Sequence, residues 1–94
     1  MGNSLKEIFD KSSMMKDITD RVEIIQNYQN TGYLDRNKAI QMIKELRLTD
    51  NDVCKATVAG IAVGGSVPFD QISDQGIINE LKMQVAVLTA KLRV

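Results

Sequence analysis

Residues 74–93 read DQGIINELKMQVAVLTAKLR, and within them Ile78, Leu81, Val85, Leu88 and Leu92 recur at spacings of three, four, three and four. That cadence is a heptad seam, which gathers the five side chains into one narrow apolar stripe on a helix. No glycine or proline follows Gly76, so the stretch predicts an unbroken helix over 73–93, capped by Ser73 or Asp74. A stripe this narrow suits a helix that meets another helix along one edge, inside the chain or across subunits. Ile78, Leu81, Val85, Leu88 and Leu92 are accordingly the expected oligomer interface.

The same spacing appears upstream in Met15, Ile18, Val22 and Ile25, which predicts a helix over 14–30 that Asn30, Thr31 and Gly32 bring to an end. Before it, Ser4 and Glu7 form a capping box ahead of Leu5, Ile8 and Phe9, predicting a short helix over 4–12 that stops near Ser12 and Ser13. Asp35 reads as an N-cap, and Ala39, Ile40, Ile43 and Leu46 form the buried stripe of a helix over 36–47. Thr49 with Asp52 makes a second capping box, opening a helix over 50–62 that fades at Gly60 or Gly64. Residues 64–72 read as a loop holding Pro68, the only proline. No segment alternates with period two for long enough to be a strand. The expectation is one all-α domain, a small helical bundle of about five helices with a C-terminal heptad-patterned helix.

Ninety-four residues with 44% hydrophobic content but two Tyr, two Phe and no Trp give an aliphatic core. A chain this small buries only about 60 to 65% of its unfolded surface, so assembly with copies of itself would supply what the core lacks. Twelve basic and twelve acidic residues cancel, leaving no charge excess for a DNA backbone to exploit. One cysteine, Cys54, cannot form an internal disulfide, which fits a reducing, cytoplasmic setting. The first ten residues lack the apolar run of a signal peptide, and no segment is long and apolar enough for a bilayer.

Histidine is absent, which removes the commonest general base and every His-based triad, and with a single cysteine it leaves no zinc site of the usual types. Cys54 lies behind acidic residues that would not stabilise a thiolate. No catalytic residue, metal or cofactor is expected. Two stretches suit a small anionic ligand instead. Gly60, Gly64, Gly65 and Ser66 could turn several backbone N–H groups and a hydroxyl toward one anion, although no Gly-Lys-Ser/Thr makes them a P-loop. Tyr28 and Tyr33, with Arg36 and Lys38 just beyond, could stack on a nucleotide base, cyclic or linear, and meet its phosphate.

Residues 42–58 have a helix-turn-helix cadence. However, Arg47 stands where such turns prefer glycine, and Asp50-Asn51-Asp52 would set carboxylates against phosphate. The expected function is thus a non-enzymatic, homo-oligomeric binding protein that occupies or sequesters a protein target stoichiometrically, as a phage or mobile-element accessory protein would. A binder of a small anionic ligand comes second and a helix-turn-helix regulator third.

Overall fold

A computed structural model of the chain describes residues 3–56 and 71–93, and these are helical throughout apart from caps and turns. Four helices follow in order: α1 (Asn3–Thr31), α2 (Arg36–Thr49), α3 (Asn51–Lys55) and α4 (Asp74–Leu92). Among the described residues there is no strand.

Where the sequence suggests a break at Ser12 and Ser13, α1 continues for 29 residues, about 43 Å at 1.5 Å per residue. Serine is only a mild helix former, and one pair of them costs less than starting a second helix anew. The predicted helices 4–12 and 14–30 are therefore one. Gly32 ends it in the left-handed region at φ 77°, with its N–H donating to the Tyr28 carbonyl at 2.8 Å, the closure that glycine adopts without a Cβ penalty.

Asp35 caps α2 by accepting from the Lys38 N–H at 3.2 Å. The second expected capping box is displaced by one residue. Thr49 stays inside α2, its hydroxyl donating to the Glu45 carbonyl at 3.0 Å, while Asp50 caps α3 by accepting from the Asp52 and Val53 N–H groups at 2.9 and 3.2 Å. A carboxylate is the stronger cap, and here it takes the position from the hydroxyl. α3 is shorter than the helix expected over 50–62: Ala56 already lies outside helical geometry at φ −92°, ψ 57°, and 57–62 fall outside the described residues. Ser73 caps α4 by accepting from the Gly76 N–H at 3.1 Å.

Two aliphatic clusters hold the helices together. In the first, Ile25 of α1, Ala39 and Ile43 of α2 and Ile77, Ile78 and Leu81 of α4 pack with Leu34 and Ile72. In the second, Leu46, Val53 and Leu88 pack with Met14 and Ile18 along their edge. α1 pairs with the early part of α4 through Ile25 and with its late part through Met14 and Ile18, so the two run antiparallel. α2 pairs with α4 in the same direction, from Arg36 against Asp74 to Leu46 against Leu88.

Candidate functional site

Between the two clusters lies a polar layer that the heptad reading does not anticipate. Arg21, Arg47, Glu80 and Gln84 are all buried. Arg21 donates from Nε to Gln84 Oε1 at 2.8 Å, from Nη1 to the Asp17 carbonyl at 2.9 Å and from Nη2 to the Met42 carbonyl at 3.0 Å. Gln84 in turn donates to the Ile43 carbonyl at 3.1 Å. Arg47 donates from Nε to Glu80 Oε1 at 2.6 Å and from Nη2 to the same oxygen. Burial pushes the Arg21 guanidinium below its ordinary range, with Asp17, Asp20 and Glu45 pulling the other way. Each charge here has a partner, as buried charges require, and the layer is structural: it fixes the register of α1 and α2 on α4. Its trace in the sequence is slight, since Glu80 and Gln84 merely flank the seam residue Leu81 four apart.

The expected interface residues divide. Ile78, Leu81 and Leu88 are 1%, 0% and 1% exposed and are consumed by packing inside the chain, while Val85 and Leu92 keep part of their surface. The seam meets α1 and α2 at once, so α4 buries a face wider than one partner helix would need.

Of the expected ligand residues, the structure brings Tyr33 and Lys38 together. They line a cleft of about 330 Å³ between α1 and the start of α2, with Ile24 and Asn27 on its α1 wall. Asp20, Glu23 and Asp35 line it too, so three carboxylates face one ammonium. Such a balance attracts cations rather than phosphate. Tyr28 stands apart, half-buried against the first cluster. Arg36 is held elsewhere: Nη1 donates to Asp74 Oδ1 and Nη2 to the Ile72 carbonyl, both at 2.6 Å, tying the start of α2 to the start of α4. Gly60, Gly64, Gly65 and Ser66 lie outside the described residues, as does most of the expected loop 64–72. Among the described residues no group of three or more His, Cys, Asp or Glu could hold a metal ion.

The helix-turn-helix segment is tied to α4. Lys91 Nζ stands 2.8 Å from Asp50 Oδ2 and 3.5 Å from Asp52 Oδ2. Asp50 is pushed up by burial, but the Lys91 ammonium and the Val53 and Asp52 N–H groups outweigh that and leave its carboxyl below the usual range. Hydrogen bonding to Asp50 raises Lys91 above its ordinary value. The two carboxylates at the start of α3 thus serve as cap and tether. Cys54 is a free, half-buried thiol.

A third surface follows from helix geometry. Ile24 marks the side of α1 that looks to α2 across the cleft. Met15 and Val22 stand roughly half a turn round from it at 100° per residue. On α4, Glu80 marks the α2 side through Arg47, and Val85 lies about 140° round. Because α1 and α4 are antiparallel, Met15 and Val22 of α1 lie toward the later half of α4, which carries Val85 and Leu92, while Ile18 packs against the second cluster. Met15 is 58% exposed, and Val22, Val85 and Leu92 are half-buried. Lys11, Lys82 and Arg93 are exposed. Among the described residues no helix is long and apolar enough to cross a membrane.

Comparison with protein-family models, with curated proteins and with solved structures finds no match to this chain.

Proposed function

We propose that the chain is a non-enzymatic binding protein that assembles with copies of itself and acts by stoichiometric occupation of a protein target. The observation that carries this reading is the apolar surface that the α1–α4 pair leaves partly uncovered. α2 packs on the pair through both clusters, while Met15 stays 58% exposed and Val22, Val85 and Leu92 are half-buried. An apolar strip along both helices of the longest pair favours another polypeptide as its cover, since helices bury apolar stripes against helices. The lone Cys54 fits a reducing, cytoplasmic setting, and small size with stoichiometric action is the pattern of a phage or mobile-element accessory protein. Light scattering tests the assembly: a mass above one chain at micromolar concentration is the expected result, and a monomeric mass overturns it.

A second reading, a small anionic ligand, draws on the meeting of Tyr33 and Lys38 in one cleft. The three carboxylates beside them oppose it unless Gly60, Gly64, Gly65 and Ser66 supply the anion contacts. A thermal-shift screen with mono-, di- and cyclic nucleotides decides, since a ligand bound only by the folded chain raises the melting temperature.

A further inference from the structure

The contact between α1 and α4 is a heptad seam with one polar level in it. On α1 the residues packed into the core are Met14, Ile18, Arg21, Ile25 and Tyr28, and on α4 they include Ile77, Leu81, Gln84 and Leu88. Both runs step by four and three in alternation, as helices that meet along one edge require. Ile18 shares a cluster with Leu88 and Ile25 one with Leu81, and midway between them Arg21 Nε donates to Gln84 Oε1 at 2.8 Å. The apolar members of this seam do not fix its register. A slip of one heptad, about 10 Å along the axis, again sets an apolar residue of α1 against one of α4: Ile18 falls level with Leu81 in one direction, and Ile25 with Leu88 in the other. Arg21 distinguishes the settings. In the first slip it stands level with Ile77, whose side chain offers no acceptor, and in the second with Lys91, a like charge.

We infer that Arg21 and Gln84 are the residues that select which helix α4 pairs with and in which register, and that the chain is less stable for carrying them than it would be with an apolar level in their place. The apolar seam supplies the attraction, and the polar level chooses among the arrangements that the seam alone would accept. Pairing between copies is subject to the same choice. Two antiparallel α1 helices centred on this level put one Arg21 against another, and two α4 helices leave both guanidinium groups without the Gln84 acceptor. Stability is lower because burying a guanidinium and an amide costs desolvation that two methionines of similar length avoid. The Met42 and Ile43 carbonyls that Arg21 and Gln84 also bond lie inside α2, whose own ladder still serves them when both side chains are replaced. The inference concerns pairing within one chain and does not depend on the self-assembly reading.

Arg21→Met/Gln84→Met in the full chain tests this, read by the urea midpoint, the amide NMR spectrum and light scattering. Gln84→Met alone is expected to lower the urea midpoint, because it strands Arg21 in the core. The double variant is expected to bring the midpoint back to the unmodified value or above it and to lose unique pairing: its α1 and α4 amides give more than one set of peaks, or its mass rises above that of the unmodified chain. Gln84→Glu keeps an acceptor for Arg21 and is the control, expected to give one set of peaks at the unmodified mass. A double variant with a restored midpoint, one set of peaks and the unmodified mass shows that the apolar seam sets the pairing by itself, which overturns the inference. A double variant that is unfolded, or whose midpoint is no higher than that of Gln84→Met, shows that the polar pair stabilises the fold, which overturns it as well.

Discussion

Arg47 and Glu80 face each other 33 residues apart in the chain with side chains 5% and 0% exposed, at the level where the apolar clusters of the bundle are separated. A buried pair of this kind adds little net stability, because desolvation of both charges offsets their attraction, but breaking it is expensive. Arg47→Leu leaves the Glu80 carboxylate in the core and is expected to lower unfolding stability by roughly 3–5 kcal/mol. Arg47→Leu/Glu80→Leu removes both charges and is expected to recover most of that loss. Urea denaturation of Arg47→Leu, of Glu80→Leu and of the double variant checks the asymmetry. Equal loss in the double variant would mean that the pair itself stabilises the fold.

Gln84 carries the neighbouring part of the layer. Its amide accepts from Arg21 and donates to the Ile43 carbonyl, so Gln84→Leu removes a partner from a buried guanidinium. The expected cost is about 1–3 kcal/mol, and Gln84→Glu is expected to be milder because it gives Arg21 a charged acceptor. Urea midpoints order the two variants.

The tether between α3 and α4 sets a pH window. Asp50 has its carboxyl lowered from an ordinary 3.8, so its contribution is present above that value and is lost as pH falls through the lower folded value. Lys91 is raised from an ordinary 10.5, so its contribution is full below that value and is lost as pH rises through the higher folded value. Stability from the pair therefore spans the range between the two and decays at both ends. Lys91→Met is expected to flatten both flanks of the pH profile of the urea midpoint. Asp50→Asn keeps a competent cap and loses the ion pair, whereas Asp50→Ala loses both and costs about 1 kcal/mol more.

Gly32 closes α1 at φ 77° with nothing within 4 Å of the position a Cβ would take. Any cost of Gly32→Ala is thus backbone strain alone, expected at about 1 kcal/mol. Gly32→Asn is expected to cost less, since asparagine tolerates the left-handed region. Thermal unfolding of both variants measures the difference.

Most of the helical architecture is legible in the sequence because it depends on local chemistry. Asp35, Ser73 and Gly32 cap or terminate helices where side-chain oxygens and a missing Cβ dictate, and Ile78, Leu81 and Leu88 carry the apolar period that the core buries. The Ser12–Ser13 junction misleads because helix propensity is weak beside nucleation cost. Thr49 misleads because a neighbouring carboxylate, Asp50, caps more strongly. The buried layer of Arg21, Arg47, Glu80 and Gln84 is illegible for another reason: its partners lie 33 to 63 residues apart, and a charged residue beside an apolar stripe ordinarily points to solvent. The cleft is half legible. Tyr33 and Lys38 come together as their closeness in sequence suggests, but Asp20 and Glu23 arrive from α1, and with them the sign of the charge.

The division of the seam changes what a substitution in α4 reports. Leu88 is 1% exposed and packs with Leu46 and Val53 of its own chain, so Leu88→Asp places a charge in the core and is expected to unfold the protein rather than release a folded monomer. Val85 lies at the strip, packed against the first cluster but only half-buried, so Val85→Asp can turn its carboxylate toward water and leave the fold largely intact. If the strip is an interface, Val85→Asp is expected to reduce the assembled mass while keeping a cooperative thermal transition. Circular dichroism and light scattering on the two variants separate the cases. A Leu88→Asp chain that stayed fully helical and monomeric would show that the seam, not the strip, is what joins the copies.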